Sequence, residues 1–126
     1  MDLASAAGRA FEHPFRAQQL QGAVRWLSRN RPAILARGGA YPLAFRRDFS
    51  GTTLLGLFNL TLDPWPGAEF ELWHDRKVDR VERLTPRGRW APDPSVSVVG
   101  KAPNYRVRRE QPLAFSDPLF LTLWWK

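Results

Sequence analysis

The sequence predicts a mainly β protein: an antiparallel β-sandwich of about seven or eight strands, preceded by one N-terminal amphipathic helix. Three observations carry this. From Tyr41 onward, turn residues recur about every eight to twelve positions with short apolar runs between them. Several of those runs alternate apolar and polar residues, which is the period of a strand with one wet face. Residues 14–29, by contrast, place Ala17, Leu20, Val24 and Leu27 at helical spacing.

At 126 residues, 44% of them hydrophobic, with six Trp and eight Phe, the chain is large enough for one compact core without cross-links. The absence of Cys removes disulfides, thiolate metal sites and Cys nucleophiles. Met1 to Ala10 contains no apolar run of signal-peptide length and no stretch approaches a membrane span, so a soluble chain is expected.

The expected division is a helical segment over 1–40 and a sandwich over 41–126. Pro14 suits the first turn of a helix, where its missing N–H costs nothing, and Pro32 prevents continuation past Asn30. The helix stripe is expected to pack on the sandwich. Ala33 to Arg37 fits either a short second helix closed by Gly38 and Gly39 or an irregular approach to the first strand. Leu43 to Arg47 reads as that strand, and Phe49-Ser50-Gly51 as a turn. Thr52 to Leu62 has apolar residues on both faces and suits a central, doubly covered strand.

The segment Asp63-Pro64-Trp65-Pro66-Gly67 must turn, because two prolines remove ladder donors and the glycine permits a tight reversal. Ala68 to Trp73 then alternates Glu69 and Glu71 with Phe70 and Leu72, a strand with one solvated side. Asp79 to Leu84 reads as a further strand, although Val78, Val81 and Leu84 lie three apart and equally fit one helical turn. Thr85-Pro86-Arg87-Gly88 has the residues of a type I turn, so the chain should reverse before Trp90. Strands are also expected at Ser95 to Val99, Tyr105 to Arg109 and Leu119 to Trp125.

Leu54 to Pro64 (LLGLFNLTLDP), then a turn, a strand, VERL followed by Gly88-Arg89-Trp90, and a closing PLFLTLWW together resemble the carboxy-terminal β-sandwich accessory domains of multidomain glycoside hydrolases. The similarity spans roughly Tyr41 to Lys126. It implies a non-catalytic module, part of or companion to a carbohydrate-active enzyme, with the catalytic domain as partner. No catalytic motif comes with it, and the chain has no barrel to house one.

Candidate chemistry in the residues themselves is sparse. His13 and His74 lack a second His at metal spacing, and His74 beside Asp75 reads as an exposed loop residue rather than a general base. Asp63 with Glu69, or Glu69 with Glu71, could in principle flank a glycosidic bond. The alternation with Phe70 and Leu72 makes a solvated strand face the better account. Asn59-Leu60-Thr61 fits a glycosylation acceptor but lies inside the core strand, where Asn59 should instead hydrogen-bond a neighbouring loop. No phosphate loop or nucleophile elbow occurs, and no cofactor or metal is implied.

Trp65, Trp73, Trp90 and Tyr105 lie at turns or strand ends, where they either form a sugar-binding platform or plug the sandwich and contact an adjacent domain. A carbohydrate-binding module is therefore one alternative, marked by coplanar exposed rings. The net charge of +7 suggests another, a nucleic-acid-binding small barrel with Arg and aromatics interleaved on one face. Against it, Glu69, Glu71, Asp75, Asp79 and Glu82 intersperse the cations of that region, and a patchy field binds weakly. The helix stripe leaves self-association as a further alternative to packing on the sandwich.

Overall fold

The structure, a computed structural model, describes residues 14–126. The chain divides into two units, Met1–Pro32 and Ala33–Lys126. The first contains α1 (Pro14–Leu27), one helix where the apolar spacing predicts it. Its end is a Schellman closure: Asn30 N–H donates to Arg25 C=O at 2.7 Å and Arg29 N–H to Trp26 C=O at 3.2 Å. Arg29 and Asn30 take left-handed φ of 54° and 59° to make this possible, so the helix stops before Pro32 is reached. His13 lies outside the described residues.

The second unit is the expected antiparallel sandwich, with nine strands among the described residues. These are β1 (Leu35–Ala36), β2 (Pro42–Phe49), β3 (Thr52–Asn59), β4 (Glu69–Trp73), β5 (Val78–Leu84), β6 (Trp90–Ala91), β7 (Val96–Lys101), β8 (Asn104–Arg109) and β9 (Leu119–Trp125). One sheet runs β1-β4-β8-β7 and the other β2-β3-β9-β5-β6. The segment after Pro32 is thus neither helix nor irregular throughout. Leu35 and Ala36 pair with Glu71 and Phe70 as a two-residue strand.

Strand periodicity sets the core. Leu55 and Leu57 of β3 and Leu119, Leu121 and Leu123 of β9 meet Phe70 and Leu72 of β4 and Tyr105 and Val107 of β8, all of them buried. The β2–β3 hairpin closes through Ser50 and Gly51, with Phe49 opposite Thr52 and Gly51 at φ 80°.

Two sequence expectations change. The apolar run that began at Thr52 ends as a strand at Asn59, not Leu62, and Leu60 and Leu62 are exposed. Asn59 is responsible: its amide donates to Asp63 C=O (2.8 Å) and Leu113 C=O (2.9 Å), and its Oδ1 accepts from the Thr61 amide (3.1 Å) and hydroxyl (2.9 Å). The expected loop partner of Asn59 is found, and the same bonds turn the chain away from the ladder.

The three-residue spacing of Val78, Val81 and Leu84 is resolved by a bulge. The register of β5 on β9 shifts between Val78 and Arg80, so Val78 and Val81 both face the core although they stand three positions apart, an offset that would place them on opposite sides of a regular strand. Beyond the bulge, strict alternation sends Leu84 to the opposite side. No helical turn is needed.

Charged side chains also join the layers. Arg83 of β5 and Arg109 of β8 come from different sheets and converge on Asp117, at 2.8 and 2.9 Å, while Arg83 also reaches Asp93 at 3.1 Å. Arg109 is only 3% exposed. Burial alone would raise the Asp117 carboxyl; the Arg109 hydrogen bond and the charges of Arg83 and Arg109 outweigh it and hold the group below its ordinary value.

Candidate functional site

The two sheets turn chemically different sides to the outside. On the four-stranded sheet, β4 presents Glu69 and Glu71, which stand opposite Arg108 and Arg106 of β8 in the ladder. Glu69 pairs with Arg108 at 2.6 Å and Arg37 at 3.5 Å, and Glu71 with Arg37 at 2.8 Å. The two carboxylates are therefore held in a ladder of cross-strand ion pairs, as expected of a solvated strand face, and neither flanks a cleft with the other.

The outer side of the five-stranded sheet is apolar and aromatic. Alternation on β2 puts Leu43, Phe45, Arg47 and Phe49 there, opposite Phe58, Gly56, Leu54 and Thr52 of β3. Next to them β9 contributes Phe120, Thr122 and Trp124, and β5 contributes Arg80, Glu82 and Leu84, with Trp90 of β6 beside Leu84. Phe45, Phe58 and Phe120 form one cluster with ring centroids 5.5–6.4 Å apart.

Gly56 is required at the centre of this cluster. A Cβ on it would meet the Phe45 ring at 2.0 Å, so the missing side chain lets the aromatic ring lie across the strand. The cluster is not closed off from solvent: Leu43, Phe45, Phe49 and Trp90 keep between 40% and 53% of their surface exposed. Both cations here rest on rings. The Arg80 guanidinium lies 4.1 Å from the Trp124 ring and Arg47 lies 5.5 Å from Phe49. Glu82 accepts the Trp124 indole N–H at 3.0 Å, which fixes that ring for stacking.

The four residues considered for a sugar platform are dispersed. Tyr105 is in the core, its hydroxyl donating to Arg76 C=O at 2.9 Å. Trp65 is half-buried, edge-on to Phe70 at 5.3 Å, beneath Gly39 and in a backbone bridge to Leu113. Trp73 is half-buried on the four-stranded sheet, and Trp90 lies on the outer side of the five-stranded sheet. No two of them share a surface, so the plug role fits Trp65 and Tyr105 and the surface role only Trp90.

His74 differs from its expectation as an exposed loop residue. Its ring stacks on Trp125 with centroids 3.6 Å apart and planes 1° from parallel, and its Nδ1 accepts the Arg76 amide at 3.1 Å. Burial, with the Arg46 charge, lowers its pKa below 6.5. Behind it runs a fixed chain: the Trp125 indole N–H donates to Thr53 at 2.8 Å, the Thr53 hydroxyl donates to Asp48 at 2.6 Å, and Asp48 also accepts from Arg46 Nε–H at 3.0 Å. Arg46 also donates to the carbonyls of Ala33 and Trp73. These bonds hold the end of the sandwich together.

Among the described residues no three His, Cys, Asp or Glu side chains gather where a metal could be held, and no helix is long and apolar enough to cross a membrane. The residues of the aromatic surface were individually visible in the sequence. What marks them is parity: Leu43, Phe45 and Phe49 alternate on β2, and Leu54 and Phe58 occupy the positions of β3 that a one-sided strand would leave polar. No family model matches the chain, and no curated protein or solved structure matches it.

Proposed function

We propose that this protein is a non-catalytic accessory β-sandwich that docks, by the outer side of its five-stranded sheet, against the catalytic domain of a carbohydrate-active enzyme. The observation that carries this is the asymmetry of the two outer faces. One sheet presents matched ion pairs, while the other presents packed Phe rings with Leu43, Phe49 and Trp90 still in solvent. A contiguous apolar surface of that kind is the usual mark of an interaction site.

Charge favours a different partner over a second copy. Two chains of net charge +7 repel each other, whereas a partner with an acidic rim would pair with Arg47 and Arg80. The carbohydrate-active character of that partner rests on the resemblance of Tyr41 to Lys126 to glycoside hydrolase accessory domains.

A second reading has one observation in its favour. Arg47 on Phe49 and Arg80 on Trp124 interleave cations with aromatics on one sheet, the arrangement that binds single-stranded nucleic acid. Two cations and one acid among so many apolar side chains fit a protein partner better.

The test is to mix the chain with the catalytic domain of the hydrolase encoded in frame with it or beside it, and to follow complex formation by analytical ultracentrifugation. A complex is expected, and Leu43→Asp with Phe49→Asp should abolish it while the sandwich stays folded. No neighbouring hydrolase, no complex, or a complex untouched by both substitutions would overturn the proposal. Salt-resistant binding of short RNA instead would select the second reading.

A further inference from the structure

The chain has 16 Arg and only three Lys, and all three Lys gather at one place. Lys77 and Lys101 line a cleft of about 400 Å³ whose remaining walls include Val78, Val98, Gly100 and Tyr105. Lys126 is adjacent, its backbone N–H donating to Lys77 C=O at 2.8 Å and its ammonium pairing with Asp79 at 2.8 Å. The cleft lies where the β7–β8 hairpin approaches the start of β5, away from the outer side of the five-stranded sheet.

The cleft is held in shape by its backbone. Tyr105 hydroxyl donates to Arg76 C=O, and the His74 amide donates to Pro103 C=O at 2.8 Å, so hairpin tip and β4–β5 loop are tied to each other twice. Gly100 takes φ 103°, and a Cβ there would meet Asn104 C=O at 2.5 Å, so this wall cannot carry a side chain. Among the described residues no carboxylate lies in ion-pair range of Lys77 or Lys101, and the nearby Asp79 is neutralised by Lys126 and Arg80.

We infer that this cleft binds a small organic carboxylate, its carbon body against Val78 and Val98 and its charge between the two ammonium groups. The volume is that of a small-ligand site, and the walls combine apolar contact with unpaired positive charge. Lysine suits a carboxylate whose orientation is set by its carbon body, because an ammonium is a point charge on a flexible stem without the planar fork of Arg. This site needs no docking partner and stands whether or not the accessory proposal does.

The experiment is a ¹⁵N-resolved NMR titration of the full chain with 2-naphthoate, with its neutral counterpart 2-naphthylmethanol, with glucuronate and with inorganic phosphate. Naphthoate or glucuronate should shift the amides of Gly100, Lys101 and Tyr105, and which of them does so assigns the ligand to apolar acids or sugar acids. Lys77→Gln with Lys101→Gln, both at solvent-exposed positions, should weaken that binding by about fivefold, the size that two exposed ion pairs supply. Equal shifts with naphthylmethanol would remove the role of charge, and equal binding of inorganic phosphate the role of the apolar walls. Either result overturns the inference, as does the absence of shifts with both acids or binding unchanged in the double variant.

Discussion

Asn59 ends a strand with its own side chain. Replacing it by Leu would keep the volume but leave the carbonyls of Asp63 and Leu113 with fewer donors and free the Thr61 turn, so a loss of about 1–3 kcal/mol is expected in urea denaturation. Asp117 carries a different load. With Asp117→Asn, the buried Arg109 loses its charged partner, and because the Asp117 side chain is itself half-exposed, stability should fall by about 1–3 kcal/mol. Adding Arg109→Met should restore part of it, and a double-mutant cycle measures the coupling.

The same residues set the pH response. Asp48, Asp93 and Asp117 all titrate below 3.8 in the fold, because hydrogen bonds and arginine charge outweigh the burial that would raise them. Their contribution is present above the unfolded value and is lost as pH falls through the lower folded values. His74 is also lowered, so the unfolded chain takes up its proton more readily, and stability should already decline as pH drops below about 6.5. Denaturation midpoints measured from pH 8 to 3 should therefore fall in two steps. His74→Gln should remove only the upper one.

Among the elements, β3 teaches most about what sequence carries. Its place at the centre of a sheet, its neighbours and the turns on either side follow from apolar runs and Pro/Gly punctuation, which are local properties of the chain. The open aromatic side was not legible, because apolar residues on both faces of a strand predict a covering layer on each, whereas the outer side of β3 carries only the half-exposed side chains of its neighbours. The bulge at Asp79 escaped for a related reason: a register shift shows itself in a pairing, and a single strand has none to show. The sugar candidates Trp65, Trp73, Trp90 and Tyr105 all lie near turns, a position that does not tell which way alternation points a ring. Gly56→Ala tests the element directly. The added Cβ must displace the Phe45 ring, so the variant should melt lower and expose more apolar surface to a hydrophobic dye, and Phe45→Ala in the same chain should relieve part of the loss.

At the scale of the whole molecule, sandwiches have edges as well as faces. The four here are β1 and β7 on one sheet and β2 and β6 on the other. Two of these, β1 and β6, are only two residues long, too short to template another chain. β7 ends at Gly100 with its left-handed φ and at Lys101, and β2 begins with Pro42, which has no N–H to offer, and carries Arg46, Arg47 and Asp48. An apolar sheet can therefore stand open to solvent without inviting strand-by-strand polymerisation, since growth of that kind proceeds through unpaired backbone at edges and not through side chains on a face. Among the described strands, contact through this sheet would therefore be a lateral one between surfaces rather than an extension of the ladder.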